Sequence, residues 1–474
     1  MDLAVDLSAR GDRSTAIYRA LLDAIRSGRL GSGDRLPPTR DLAGDLGVSR
    51  NTVATAYERL AAEGYLEARV GAGTYVTDVA ASVRPRRRAA ALSPRRGWHF
   101  TPVPVSGQAP KPAYDFRVGI PDASLFPFDT WRRLVAAELR AGAHSPGTYA
   151  DPAGHPPLRE AIVRYLALSR GVGADPDDVL VTHGTQQALD LIARVLVEPG
   201  DVVAVEDPGY PFARELFASY GAHIAPVPVD VDGLVVERIP DRARLVFTTP
   251  SHQFPLGPPL SLERRLALLE FADRHRVAVI EDDYDSEFRF TDRPLETLHA
   301  LDGAGRVIYV GTFSKSLVPA LRAGYLVAPP TLHAALCGAR QLADGYGSIP
   351  DQAALAHFLA DGMLARHLRR ARTVYGERRA LTIDGIERVL AEHLELVPSA
   401  AGLHVSALFR DPSVVDGEVA GLAAAEGVVT EPLTSYGGER PGLVFGYGAA
   451  ETASITPGLE RLRAILDLGG PRSR

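Results

Sequence analysis

Arg306-Val-Ile-Tyr-Val-Gly-Thr-Phe-Ser-Lys-Ser-Leu-Val-Pro-Ala-Leu-Arg322 decides the reading of this 474-residue chain. It contains Lys315, one of only two lysines; the other is Lys111. Arginine supplies every other basic side chain, a bias that a GC-rich coding sequence explains. The bias accounts for the missing lysines but not for the one retained here. A guanidinium stays protonated and forms no Schiff base. A lysine amine does so once its surroundings lower its pKa. The apolar run Val307-Ile-Tyr-Val310 reads as a buried strand. Lys315 follows the C-terminal end of that strand, where open α/β sheets place their ligands.

Two earlier stretches share this logic. Val277-Ala-Val-Ile280 is a second apolar strand and ends in Glu281-Asp-Asp-Tyr-Asp285. Val179-Leu-Val-Thr-His-Gly-Thr-Gln-Gln-Ala-Leu189 reads as a strand, a glycine turn and a helix start. Free N–H groups and the positive dipole end at such a start suit a phosphate. A lysine, a carboxylate and a phosphate cradle are what pyridoxal 5'-phosphate (PLP) uses. An aspartate against its pyridinium nitrogen keeps the ring an electron sink. Further apolar runs, Val202-Val-Ala-Val-Glu206 and Arg244-Leu-Val-Phe-Thr248, alternate with helical stretches such as Gln187–Leu196 and Leu262–His275. Runs of this kind suit a parallel sheet covered on both faces. An Arg-rich helix from about Ala365, followed by Leu396–Leu408 and Leu443–Tyr447, predicts a smaller C-terminal α+β subdomain.

The first 77 residues have a different pattern. Ser14–Ser27 has apolar residues at helical spacing, with Ser14 as the expected N-cap and Gly28 as the stop. Thr39 can cap a second short helix ending at Gly47, and Ser49 a third, from Arg50 to about Glu63. Two short helices joined by a tight glycine turn match the helix-turn-helix pattern. Tyr65–Val76 then reads as two strands around a glycine turn, a small wing. Residues 1–77 carry ten Arg and ten Asp/Glu, so binding to DNA must rest on local placement rather than net charge. Residues 78–113 carry six Arg, one Lys and one Asp, with repeated prolines that keep a segment extended. This basic stretch is expected to act as a linker, either touching phosphates or serving as a solvated tether. With −6 overall, residues 114–474 carry −12.

The segments Tyr149-Ala-Asp-Pro-Ala-Gly154, Gly184-Thr-Gln, Glu206-Asp-Pro-Gly-Tyr-Pro211, Thr249-Pro-Ser-His-Gln-Phe-Pro-Leu-Gly257, Glu281–Asp285 and Gly311-Thr-Phe-Ser-Lys315 resemble those of fold-type I aminotransferases. Leu36-Pro-Pro-Thr-Arg-Asp-Leu-Ala, Val48-Ser-Arg-Asn-Thr-Val53 and Glu63-Gly-Tyr-Leu66 are similar to the GntR family. Together the chain resembles the MocR/GabR/PdxR group of bacterial regulators, which fuse a GntR-type winged helix to an aminotransferase-like domain. The resemblance implies three parts: a winged helix-turn-helix at 12–77, a linker at 78–113, and an α/β PLP-binding domain of fold type I at 114–474, its small subdomain starting near 365.

The resemblance also implies roles. Lys315 corresponds to the lysine that forms the Schiff base with PLP. Asp282 corresponds to the pyridine-nitrogen partner, Tyr284 to the tyrosine on the ring hydroxyl and Tyr210 to the stacking aromatic. Gly184, Thr185, Gln186, Thr312, Ser314 and Arg322 correspond to the phosphate end. His252 or Gln253 falls where a polar partner of the ring oxygen is found. Tyr149 is expected to reach the other subunit's phosphate, and Arg440 to grip an effector carboxylate. Arg35, Arg40, Ser49, Arg50, Asn51, Thr52 and Gly71 are the expected DNA contacts, Arg35 on phosphate. GABA-responsive members carry an arginine two residues after the stacking tyrosine. Here that residue is Phe212, which favours an effector without a carboxylate, or PLP itself.

The expected partners are promoter DNA, a small-molecule effector (PLP, an amine or an amino acid) and a second copy of the chain, with a head-to-tail domain swap expected from the group. The single cysteine, Cys337, and the acids near the N-terminus fit the cytoplasm. No apolar stretch is long enough to span a bilayer. No metal-ligand spacing stands out. Two readings stay open: a PLP-dependent transcriptional regulator of vitamin B6 or amine metabolism, and a working aminotransferase with an incidental DNA-binding domain.

Overall fold

The computed structural model describes residues 12–78, 95, 98, 100, 112–140, 148–290 and 296–468. Most of the basic linker therefore lies outside the described residues. The chain divides into two compact units, Met1–Trp98 and His99–Arg474.

In the first unit, α1 (Arg13–Arg26), α2 (Thr39–Leu46) and α3 (Arg50–Ala62) precede β1 (Leu66–Arg69) and β2 (Gly73–Val76). Ile17, Leu21 and Ile25 of α1 are buried with Val53, Tyr57 and Leu60 of α3, as 3.6-residue spacing demands. The cap of α1 differs from expectation. Asp12, not Ser14, accepts the free N–H at 3.0 Å, so the helix begins at Arg13. Thr39 opens α2 without capping it, because the cap position falls on Pro38. Gly47 ends α2 in the left-handed region (φ 63°), and Ser49 caps α3 by accepting from the Thr52 N–H at 3.2 Å. β1 and β2 pair antiparallel, with Leu66 opposite Val76.

The second unit is built on an eight-stranded sheet. Its spatial order is Val179–Thr182, Gly324–Val327, Val307–Thr312, Ala278–Asp283, Ala243–Thr248, Val202–Asp207, His223–Asp230 and Gly233–Leu234. The strands from Val307–Thr312 to His223–Asp230 are mutually parallel and their middle members are buried on both faces. The strand Gly324–Val327 runs antiparallel to both neighbours and was not anticipated from the sequence. The connection from Thr312 to Gly324 is too short for a parallel crossover. Arg322, at φ 48°, reverses the chain after the turn Pro319–Leu321. Gly311 makes the pairing close, since a Cβ there would lie 2.4 Å from the Tyr325 ring.

Helices Thr185–Leu196 and Leu262–His275 flank this sheet, the latter capped by Ser261. The long helix Met363–Val389 leads into a four-stranded sheet ordered Leu394–Leu396, His404–Phe409, Gly442–Gly446, Glu431–Pro432. Among the described residues no helix is long and apolar enough to cross a membrane.

Leu60 is fully buried in the core of the first unit. Leu60→Ala should lower the opening free energy of α1 and α3 amides by about 2–5 kcal/mol, the usual cost of such a cavity. Native-state hydrogen exchange on the full chain measures it, and unchanged protection would show that this contact does not hold the unit together.

Candidate functional site

The C-terminal ends of three sheet strands meet at a cavity of about 400 Å³. Its lining includes Thr185, Gln186, Tyr210, Asp282, Tyr284, Thr312, Ser314, Lys315 and Arg322. Nine of the residues picked out from the sequence are thus brought to one place. Strand alternation selects among the acids. Asp282 faces the cavity, whereas Glu281 accepts backbone N–H groups of Leu298 and His299 at 2.9 Å on the other face. Asp283 pairs with Arg170 at 2.6 Å and accepts from the Tyr309 hydroxyl.

Lys315 donates from Nζ to the Gly119 carbonyl at 2.7 Å. Gly119 has φ 75°, and a Cβ there would lie 2.6 Å from that amine, so glycine is required. Burial lowers the pKa of Lys315, against the pull of Asp285, Asp282 and Glu431. Asp282 is pushed the other way: burial, reinforced by Asp283, raises its carboxyl well above the ordinary range. Its Oδ1 is buried without a hydrogen-bond partner. A buried acceptor left open is costly, and the N–H of a protonated pyridine nitrogen would satisfy it.

At the other end, Gly184 (φ 86°) opens the helix Thr185–Leu196. A Cβ on Gly324 would sit 2.7 Å from the Gly184 Cα, so the backbone of the two glycines is in close approach. Arg322 donates to the His183 carbonyl at 2.6 Å, which fixes its guanidinium beside Gly184. Thr312 and Ser314 share a hydrogen bond at 3.0 Å next to it. Helix N–H groups, two hydroxyls and a guanidinium form an anion cradle. These residues therefore fit PLP: an anion cradle, a lysine, and an unpartnered carboxylate.

Other sequence-predicted residues lie elsewhere. His252 stands behind the cavity, its Nδ1 3.1 Å from Asp285 and 2.9 Å from the Tyr284 hydroxyl. With an N–H at Nδ1 directed to the Asp285 carboxylate, the Tyr284 hydroxyl hydrogen would remain for the cavity. Gln253 is buried and occupied, donating to Glu206 at 3.2 Å and to the Pro208 carbonyl at 2.9 Å. Tyr149 is exposed, with its ring 6.4 Å from that of Tyr346, and Arg440 is exposed and does not line the cavity.

The sequence reading missed Gly119, Phe254, Asp285, His404, Glu431 and Tyr436, all of which line it. His404 is held by the Pro255 carbonyl at 3.0 Å, and burial drives its pKa well down. Ligand-type atoms of His252, Asp285 and His404 lie within 4.8 Å of one another.

In the first unit, Arg40, Ser49, Arg50 and Asn51 are exposed and Thr52 is half-buried, at the starts of α2 and α3. Arg50 reaches the Thr39 hydroxyl at 3.4 Å, so both helix starts present one polar edge. Gly71, at φ 76°, lies in the β1–β2 turn. Arg35 packs on the wing: a Cβ on Gly73 would be 2.8 Å from its Nε. Residues at the start of a recognition helix reach base edges in the major groove.

Comparison with known proteins agrees with both halves. The model for bacterial regulatory proteins, gntR family, matches residues 13–76, and that for aminotransferase class I and II matches residues 122–441. A probable rhizopine catabolism regulatory protein, MocR, of Rhizobium meliloti is 40% identical over 98% of this chain and 95% of its own. The pyridoxine biosynthesis transcriptional regulator PdxR of Corynebacterium glutamicum is 33% identical over 96% and 97%. The structure of Pyrococcus horikoshii kynurenine aminotransferase, in complex with PMP, superposes with a TM-score of 0.70 at 28% identity, covering 76% of this chain and 92% of that one.

Glu287 accepts from the Tyr165 hydroxyl at 2.7 Å, and burial raises its pKa to about 7. Its native pKa lies above the ordinary value of 4.5, so the native state binds the proton more tightly. This contribution to stability is full below pH 4.5 and is lost as pH rises through 7. Glu287→Gln keeps the acceptor for Tyr165 and removes the titration. Its urea midpoint should fall less than the parent's between pH 5 and pH 8. Parallel declines would show that Glu287 does not titrate in this range.

Proposed function

The chain belongs to the aminotransferase class I and II family and to the MocR-type group of regulators, with a gntR-family domain at its N-terminus, and from this premise we propose a specific function. It binds promoter DNA through the winged helix and senses PLP, or an amine presented to PLP, at Lys315. The observation that carries the reading is the open Oδ1 of buried Asp282 in the same cavity as Lys315.

PLP, when bound, supplies an aldehyde and an electron-withdrawing ring. Asp282 would accept the pyridinium N–H. Thr185, Gln186, Thr312, Ser314 and Arg322 would hold the phosphate, and Tyr210 would cover a ring face. Tyr284, backed by His252 and Asp285, would donate to the ring oxygen. Lys315 is the nucleophile, and its burial increases the share of neutral amine. Occupancy alters DNA binding only if the ligand binds two conformations with different affinity. We place the domains at 12–77 and 114–474, joined by the basic segment 78–113, and the protein as a homodimer. Vitamin B6 supply is the leading pathway, by analogy with the relative named for pyridoxine biosynthesis. The joint presence of Lys315, Asp282 and Tyr284 in the cavity keeps a second reading, a working aminotransferase.

The test is fluorescence anisotropy of labelled DNA from upstream of the gene and its neighbours. Protein is titrated with and without PLP, at one salt concentration, against a scrambled duplex. Preferential binding that PLP changes is the expected result. Arg50→Ala should erase that preference at one base position, by about 1–3 kcal/mol. Lys315→Ala should abolish the visible absorbance of lysine-linked PLP. An unchanged band would overturn the assignment of Lys315. No sequence preference, together with steady turnover of an amino donor and a keto acid, would favour the enzyme.

A further inference from the structure

Beyond the cofactor-holding residues, the cavity has a distinct outer wall. It is formed by Phe212, Phe254, Tyr436, Glu431 and the Val118–Gly119 backbone. Among the described residues lining the cavity, only Lys315 and Arg322 are lysine or arginine. Both are engaged, Lys315 with Gly119 and Arg322 with the His183 carbonyl at the anion cradle. Arg117, near Glu431, is committed to Asp115 by bonds of 2.8 and 2.6 Å and does not line the cavity. Arg440 is exposed and also absent from the lining. The outer wall therefore offers no guanidinium to a carboxylate.

It offers a carboxylate instead. Glu431 lies opposite Val444 in the small sheet, accepts from the Val118 N–H at 2.9 Å and accepts from the Tyr436 hydroxyl. These two bonds fix its position and use about half of a carboxylate's acceptor capacity. Phe254 packs its ring edge-on against Tyr436, with centroids 5.1 Å apart, and against Tyr210 at 5.8 Å. Aromatic faces beside an acid attract cations and give nothing to an anion.

We infer that the effector read by this cavity is a diamine: one amino group faces Lys315 and the cofactor, and a second, as ammonium, meets Glu431 within the aromatic wall. An α- or ω-amino acid is disfavoured, because its carboxylate would be desolvated against Glu431 with no cation to pair. This rests on the PLP-sensing reading and adds the chemical class of its ligand. Glu431 is the specificity residue.

The experiment is isothermal titration calorimetry on the full-length, PLP-loaded chain with four ligands on one carbon skeleton: butane-1,4-diamine, 4-aminobutan-1-ol, butylamine and 4-aminobutanoate. The diamine should bind at least about tenfold tighter than butylamine, the worth of one charge-assisted hydrogen bond, and 4-aminobutanoate weakest. Glu431→Gln should collapse the diamine-to-butylamine ratio towards one. A purely structural Glu431 would weaken all ligands alike and leave the ratio intact. Phe212→Arg, at an exposed position on the rim, gives a second test should Glu431→Gln not fold. It should shift preference towards 4-aminobutanoate. Parent protein that prefers 4-aminobutanoate, or binds the amino alcohol as tightly as the diamine, overturns the inference. So does PLP-loaded protein that responds to none of the four, which leaves cofactor binding standing. Failure to take up PLP at all overturns the underlying reading as well.

Discussion

Half-buried Lys315 and buried Asp282 line one cavity, and no ion pair joins them among the described residues. Burial works against the charge of each, lowering the lysine's pKa and raising the aspartate's. Placing such groups out of water is unfavourable unless a ligand completes their hydrogen bonds. The rest of the second unit exists to hold them in that state. Asp282 is fixed in a strand paired on both sides, and Lys315 just beyond the next strand by a single carbonyl. Lys315 keeps that one hydrogen bond, while the Asp282 Oδ1 has none. Arg265, fully buried, donates to the carbonyls of Leu260, Pro250 and Glu296, and so ties the loop after Ala243–Thr248 to the helix Leu262–His275.

Close backbone approach is the second requirement, and it explains several residues that carry no chemistry. Gly119 makes room for the lysine amine, and Gly184 with Gly324 shapes the anion cradle. Gly402 does the same for the layer behind Tyr284, since a Cβ there would meet His252 at 2.0 Å. Replacement at any of these points would move a functional group that the adjoining strand cannot follow, because cores resist small displacements.

These requirements also explain which parts were legible in the sequence. The parallel strands and the helix Leu262–His275 were readable from their apolar residues, because local periodicity reports burial. Asp282 and Tyr284 were picked out by the resemblance to fold-type I aminotransferases, while Lys315 was conspicuous in a chain almost without lysine. The antiparallel strand Gly324–Val327 was missed, because its orientation follows from the length of a connection and a left-handed arginine rather than from composition. Gly119, His404 and Glu431 were missed for a related reason. Each enters the cavity from a segment distant in sequence, and only the small sheet's pairing brings Glu431 alongside Val444 and towards Val118. No local pattern marks an acid as facing a cavity made by other segments.

Charge sets the terms on which such a chain can approach DNA. Residues 1–77 are formally neutral, and residues 114–474 carry −12. Attraction to phosphate cannot come from the bulk of either part. It has to come from the polar edge at the starts of α2 and α3 and from the +6 of the linker. Few phosphates would then be neutralised, so non-specific affinity is expected to be low and its salt-dependence shallow. On the proposed reading, a larger share of the binding free energy would fall to base-edge contacts, for which Arg50 and Asn51 are the proposed residues.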